Sequence, residues 1–537
     1  MMIQQEQIKK MSERRIRCIK CDKVFEEGTD LQKMHEGECI GFEYEKEQRE
    51  NDITLGEIIK DENNNKVTIS PTQTDIQKLR PICFYDDMFY IQVNIPVIKI
   101  KVNQKGVEEK ERTHETYYVT SNRELLHHTD EKLSDFQMPK LVINNDFERW
   151  AYCDIVSYCS DESSLDLVEL YNSTEGLFRK YIDLQKDEYY TLVTLWTIGT
   201  YVSRLFSYYP YLDLFGTKGS AKSKLLSLFE KMAFNGKLVS SITTATLIRL
   251  VESCGYTLLI DETEALKNPK HDKNEFLLQL LKTSYRMSST VPINVPSKEG
   301  WTPQFFDSGT CISLAHINEI DNVLEDRTIP ITMEITLKKN IGNSDPDTDI
   351  NESEWKIQRA RFYEFALEYA HEIHDLAKQK IDHDIISNRE LNQIWKPIIS
   401  LANIFQNNGV PDLIRKINLL ITETHTRKIS SNTEDNPDIQ LLDLLVKNIL
   451  NTKALIRDDK NEILQNEIFT RFDTFEKLDW LTSSKALGSG LKRLGFESRK
   501  SENGKKIRIT DQILAKTAKR FSIEYDELKN ISLEGVL

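Results

Sequence analysis

Residues 214–224 read LFGTKGSAKSK. Before them stands YYPYLDLF, a short apolar and aromatic run bounded by a turn. After them comes SKLLSLFEKMAF, where apolar residues recur at helical spacing. The first pattern is that of a buried strand and the second that of an amphipathic helix. A strand, a glycine-containing loop and a helix in immediate succession restrict the chain to an α/β architecture at this point more tightly than any other segment does.

The loop itself nearly matches G-x-x-x-x-G-K-[ST], whose backbone cradles phosphates. Gly216, Thr217, Lys218, Gly219, Ser220, Ala221, Lys222 and Ser223 fill the eight positions, with Ala221 where the pattern has glycine. Alanine adds only a methyl and is tolerated there if the backbone is near-helical. The helix N-terminus offers N–H groups and a positive dipole end to an anion. Lys222 would reach the β- and γ-phosphates, and the Ser223 hydroxyl would bind Mg²⁺. Downstream, YTLLIDETEAL is an apolar strand ending in Asp261 and Glu262, 39 residues beyond the loop lysine. Asp261 would hold Mg²⁺ and Glu262 would polarise an attacking water. TCISLAHIN is a further buried strand with Asn318 at its tip, placed to orient that water. DNVLEDRTIPITM sets Arg327 just before another strand, where it could reach a γ-phosphate of its own subunit or of a neighbour.

These residues carry a resemblance. The run from LWTIGTYVSRLFSYYPYLDLFGTKGSAKSKLLSLFE through TLIRLVESCGYTLLIDE to CISLAHINEIDNVLEDRTIPITM resembles the ATPase core of AAA+-type helicases, and most of all archaeal, plasmid and phage primase-associated helicases. The Ala-Lys-Ser ending of the loop is similar to that of the minichromosome maintenance helicases, in which Ala precedes the Lys of an active site. The resemblance covers about residues 190–340. It implies a P-loop NTPase core, ATP hydrolysis, and a homo-oligomeric ring, commonly a hexamer, that moves along nucleic acid.

Near the N-terminus, RCIKCDKVFEEGTDLQKMHEGEC spaces Cys18, Cys21, His35 and Cys39 as zinc ligands, with Cys in place of the last His of a finger. So small a module depends on its metal for folding. Residues 1–24 hold seven Lys/Arg against three acids, a net +4 that suits phosphate contacts or a solvated flank of a protein-docking finger. The other cysteines (Cys83, Cys153, Cys159, Cys254 and Cys311) have no ligand spacing and read as core residues.

From Ile439 the order is helix, helix, helix, hairpin, helix, similar to a winged-helix domain. Between Ser483 and Phe521 there are eleven Lys/Arg and three acids, a net +8 inside a chain of −14. Lys485, Lys492 and Arg493 fall on the proposed recognition helix. Arg499, Lys500, Lys505, Lys506 and Arg508 fall on the wing. Together they form a candidate DNA footprint.

The overall acidity, with a pI of about 5.4, excludes a uniformly basic nucleic-acid coat but not such local patches. The N-terminal residues lack the apolar core of a secretory signal, and the cysteine usage fits a reducing cytoplasm. The apolar run YYTLVTLWTIGTYVS is too short for a membrane span and reads as a buried helix. The expected organisation is a zinc module at 1–45, a linker at 46–66, a β-rich then helical domain at 67–185, the AAA+-like core at 186–340, a helical lid or linker region at 341–435 and a winged helix at 436–537. His127 and His128 read as surface residues pointing apart, and 343–354 as a solvated acidic loop. The function expected is an ATP-driven DNA helicase or translocase in replication, of mobile-element or archaeal type, using ATP, Mg²⁺ and Zn²⁺, with DNA and a primase or replisome component as partners. A nucleotide-switched DNA-binding initiator that does not unwind, and a protein-remodelling ATPase, keep the same motifs.

Overall fold

The structure is a computed structural model of the chain. It describes residues 77–102, 108–134, 136–137, 148–162, 164–239, 243–261, 272–297, 300–317, 322–381, 389–475, 480–520 and 525–528, together with five short strands before residue 70. The chain divides into two units, Met1–Ile76 and Gln77–Leu537.

In the first unit the strand Arg15–Cys18 pairs antiparallel with Val24–Glu26 on one side and with Tyr44–Lys46 on the other. Glu57–Lys60 and Lys66–Ile69 form a separate antiparallel pair. Part of the expected 46–66 linker is therefore strand, in keeping with the β-branched residues of EIIK and KVTI. Cys18 closes its strand; Cys21, His35 and Cys39 lie outside the described residues.

The second unit opens with four antiparallel strands side by side in chain order: Ile82–Tyr85, Met88–Val102, Glu108–Thr120 and Leu125–His127. The two long strands stay in register from Tyr90 opposite Thr120 out to Val102 opposite Glu108, and their far half exposes Ile98, Ile100 and Val102. Helices Leu167–Tyr181 and Asp187–Gly199 follow. Every residue from Tyr189 to Ser203 is buried, as the apolar run predicts, and no described helix is long and apolar enough to cross a membrane.

Next comes a five-stranded, wholly parallel sheet. Its strands are β1 (Tyr211–Gly216), β2 (Lys237–Val239), β3 (Leu258–Ile260), β4 (Ile312–His316) and β5 (Thr328–Met333), in spatial order β2-β3-β4-β1-β5. Parallel strands need crossovers, and the helix α1 (Lys222–Met232) makes the first of them. β3 and β4 are buried throughout, which is why both read as unbroken apolar runs. Between the helix Asp272–Ser284 and β4, the hairpin Thr290–Ser297/Gly300–Asp307 projects with Trp301 and Phe305 exposed.

Three long helices complete this body: Glu352–Lys378, Arg389–Asn407 and Leu413–Asp435. They were expected as a lid or linker. Instead their apolar faces belong to one continuous core that runs from Ile82 to Ile421 and includes Leu212, Phe229, Ile331, Phe362 and Leu401. The domains expected at 67–185, 186–340 and 341–435 thus share a core. Arg359 is fully buried within it and donates to the Lys231 carbonyl at 3.0 Å, while Arg149 donates to the carbonyls of Glu230 at 3.0 Å and Ala233 at 2.8 Å. Two guanidinium groups therefore cap the C-terminal end of α1, where the helix dipole is negative.

The last segment has a core of its own, built from residues such as Leu441, Leu445, Phe472, Leu491 and Ile507. Its order is helix Pro437–Val446, strand Glu462–Leu464, helices Gln465–Phe475 and Ser484–Arg493, a hairpin Ser498–Ser501/Gly504–Arg508, and helix Asp511–Arg520. The short strand pairs with the second hairpin strand, an addition to the order expected from sequence.

Candidate nucleotide site and basic C-terminal face

In an open parallel sheet, ligands gather beyond the carboxyl ends of the strands. Here β1 ends in the 216–223 loop, β3 in Asp261, β4 in His316 and β5 in Met333 and Glu334. A cavity of about 850 Å³ opens there, lined by the loop, Asp261, His316, Glu334 and Asp345. Its size suits a nucleotide.

Two loop positions have backbone requirements. A Cβ on Gly216 would lie 2.2 Å from the Met333 carbonyl, so β1 and β5 can approach only because that side chain is absent. Ala221 has φ 64° and ψ 20°, a left-handed conformation. The near-helical backbone under which Ala would be at ease is not what the loop adopts, because the chain must reverse there to enter α1. The left-handed state costs a non-glycine residue about 1 kcal/mol or more.

Lys222 Nζ donates to the carbonyls of Gly216 at 2.7 Å and Thr217 at 3.0 Å, folding over the loop at the mouth of the cavity. Ser223 Oγ donates to Asp261 Oδ2 at 2.7 Å. Two oxygens held in adjacent positions by an octahedral Mg²⁺ stand about 2.9 Å apart, from its 2.0–2.1 Å bonds. The hydroxyl and carboxylate stand close enough together that both would hold such an ion. The N-terminal end of α1, the positive end of its dipole, borders the cavity and would face a phosphate bound there.

Sequence reasoning missed the other wall. The acidic stretch 343–354 is largely exposed, as expected, but it is not a free loop: Pro346–Asp349 form a helical turn and Pro346 is buried. Lys224 Nζ donates to the Ile341 carbonyl at 2.8 Å and Ser344 Oγ at 3.2 Å, and Lys231 pairs with Asp347 at 3.0 Å, so the stretch packs along α1. Burial holds the Lys224 ammonium below the usual lysine range. The signal was the spacing of basic residues on α1 facing a run of acids. Beneath the cavity, His316 Nε2 contacts Asp213 Oδ1; both are buried, on neighbouring strands β4 and β1.

Glu262 and Asn318 lie outside the described residues. Arg327 lies at the start of β5, next to Thr328, which pairs with Tyr211, whereas Met333 pairs with Gly216. Five strand steps separate the two ends, about 17 Å. Of the two roles its sequence position allows, reaching its own phosphates is closed by this distance. Its guanidinium lies 4.8 Å from the Tyr285 ring centroid.

The base of the exposed hairpin is pinned. Asp307 N donates to Glu252 Oε2 at 2.7 Å, and the Asp307 carboxylate accepts from Arg80 Nε at 2.9 Å. Burial would raise the Asp307 carboxyl, but Arg204 and Arg80 outweigh it and hold the group below its usual range. The sequence signal for this hairpin is Lys298-Glu299-Gly300 between two alternating runs, which its prolines disguise.

On the C-terminal face the eight basic candidates separate into two sets. Arg493 holds Asp438 with two nitrogens, at 2.9 and 2.7 Å; Arg499 donates to Glu462 at 2.6 Å; Lys506 pairs with Asp458 at 2.5 Å. These three are tied to carboxylates of the same domain. Lys485, Lys492, Lys500, Lys505 and Arg508 are exposed. Lys500 and Lys505 are direct cross-strand partners, a like-charge pair that an anion would relieve. Cys254 and Cys311 are buried as expected, but Cys153 is exposed, being on the outer face of the helix Tyr152–Cys159.

No family model matches the chain, and no curated protein sequence matches it. Among solved structures it is similar to a full-length MCM homolog from Methanopyrus kandleri (9% identity, 63% of this chain and 78% of that one, TM-score 0.29). It is also similar to a JCV helicase (12%, 55% and 78%, TM-score 0.18) and to Drosophila ORC bound to DNA (13%, 66% and 92%, TM-score 0.19). At these scores the likeness is distant, and the chemistry is read from the residues themselves.

Proposed function

We propose that the chain is an ATP-driven DNA motor, a helicase or translocase acting in replication. The observation that carries this reading is the 2.7 Å contact between Ser223 and Asp261 at the mouth of the α1 cavity, beside Lys222. Lys222 would exchange the Gly216 and Thr217 carbonyls for β- and γ-phosphate oxygens. Bound Mg²⁺ would neutralise charge developing on the transferring phosphoryl group. Glu262 polarises the attacking water and Asn318 positions it. Arg327 is contributed to the site of the next subunit of a ring, which accounts for its place at the far end of β5. Such an arginine raises the rate by roughly 10³ to 10⁵.

DNA contact is assigned to two surfaces. The exposed Trp301 and Phe305 of the projecting hairpin offer rings on which bases stack without regard to sequence. The C-terminal domain, read as a winged helix, offers Lys485, Lys492, Lys500, Lys505 and Arg508 to phosphates. Zinc at Cys18, Cys21, His35 and Cys39 would fold the N-terminal module, as its spacing supports.

The test is ATP hydrolysis by the purified, zinc-loaded protein with and without single-stranded and duplex DNA, beside Lys222→Ala and Glu262→Gln. The motor reading expects DNA to raise a rate that both substitutions abolish, followed by strand separation on a forked substrate. Hydrolysis indifferent to DNA would replace it with a protein-remodelling ATPase. Slow hydrolysis with DNA binding and no strand separation would replace it with an initiator.

A further inference from the structure

His127 and His128 do not point apart. The strand ends at His127, and the Asp130 N–H donates to the His127 carbonyl at 2.8 Å as the chain turns. The alternation that would send successive side chains to opposite faces stops there, and the two rings lie 4.2 Å apart. His127 pairs across the ladder with Tyr117, which puts it on the same face as Glu115, a diagonal neighbour. Ligand-type atoms of Glu115, His127 and His128 all lie within 4.8 Å of one another.

The geometry points to a metal site: we infer that Glu115, His127 and His128 bind a divalent transition metal, with zinc the best match to two imidazoles and one carboxylate. Tetrahedral zinc with bonds near 2.0–2.1 Å sets its ligand atoms about 3.3–3.4 Å apart. His127 Nε2 lies 3.4 Å from Glu115 Oε2, and His128 Nδ1 lies 3.9 Å from the same oxygen. Those separations are long for a hydrogen bond but near what a shared ion requires.

The surroundings act as outer supports. Lys99 holds the other carboxylate oxygen, Oε1, leaving Oε2 to the imidazoles. Thr129 Oγ1 lies 2.7 Å from His127 Nδ1 and holds the ring with Nε2 toward Glu115. Glu115 is nearly buried at 11% exposure while the two imidazoles are open at 34% and 32%, so an ion can enter from solvent. The site sits at the root of the two-stranded ribbon formed by Met88–Val102 and Glu108–Thr120, one register step from where its exposed half begins. Metal there would tie the edge strand Leu125–His127 to the ribbon's base.

The test uses the full-length chain with Cys18→Ser, Cys21→Ser and Cys39→Ser, to remove the N-terminal thiolates, and excess Mg²⁺ to occupy the nucleotide site. Calorimetry with Zn²⁺ should find one bound ion per chain. His127→Ala, His128→Ala and Glu115→Gln should each lower the affinity by more than about tenfold. Because Glu115→Gln preserves shape, it keeps the test open if a histidine variant fails to fold. Cobalt substitution should give d–d absorption without thiolate charge transfer. No zinc binding in the background without the N-terminal thiolates, or binding unchanged by all three substitutions, would overturn the assignment and leave a cluster that holds only protons.

Discussion

Ser223 Oγ donates to Asp261 Oδ2 at 2.7 Å, although β1 and β3 are not neighbours: β4 lies between them. The two strands meet only through what grows from their carboxyl ends. Because both groups serve one ion in the proposed site, their removal should not add. Ser223→Ala and Asp261→Asn are each expected to lower Mg²⁺-dependent hydrolysis by about 10² or more, and the double variant by little beyond the worse single one. Hydrolysis rates across a magnesium titration read this directly, and full additivity would separate the two roles.

Ala221 carries strain where glycine would not. Ala221→Gly should stabilise the sheet-containing body by about 1 kcal/mol in denaturant unfolding and leave hydrolysis intact. Gly216→Ala should do the reverse, since its new methyl meets the Met333 backbone. A destabilising Ala221→Gly would contradict the left-handed loop.

The separation of Arg327 from Gly216 makes complementation possible. Arg327→Ala and Lys222→Ala are each expected to be inactive alone. Mixed in equal amounts and allowed to exchange, they should recover roughly a quarter of wild-type hydrolysis, because about that share of interfaces pairs an intact loop with an intact arginine. No recovery from exchanging subunits would mean the arginine does not act across an interface.

The wing makes two opposite predictions. Lys500→Glu with Lys505→Glu should weaken DNA binding and flatten its salt dependence while leaving the melting temperature nearly unchanged. Arg499→Ala, which breaks the pair with Glu462, should instead destabilise the C-terminal domain and alter DNA affinity less. Binding isotherms at several salt concentrations, beside thermal melts, distinguish them.

Glu364 gives a pH signature. Burial, with the nearby Glu368 and Asp154 charges, pushes its carboxyl up to about 7. A carboxyl raised on folding contributes stability that is complete below its ordinary value of 4.5 and lost as pH climbs through about 7. Glu364→Gln should therefore raise thermal stability at pH 8 and change it little at pH 4, which parallel melts would show.

The sequence made the local pieces legible where a single element decided them. The run before Gly216, the helix after Lys222 and the strand into Asp261 all appear where periodicity put them, because each is buried on the faces that its pattern requires. What needed two distant segments stayed hidden. Nothing local tells that Lys224 meets Ser344, or that Arg359 reaches the end of α1. His127 and His128 were misread because strand alternation was extended one residue past the turn. Three of the eight wing and recognition-helix cations proved tied to Asp438, Glu462 and Asp458, acids that lie outside the basic stretch and so did not enter its charge count.

On the proposed reading, the two ends of the β1–β5 pair give each copy a plug and a socket: the 216–223 loop at the carboxyl end of the strands and Arg327 at the amino end. Copies related by a two-fold axis would present like to like and leave both sockets unfilled. Only head-to-tail contact joins the two, and such contact repeats from copy to copy until the rotation closes or the array runs on. The placement of one arginine at the wrong end of its own strand thus gives any assembly built through it a direction.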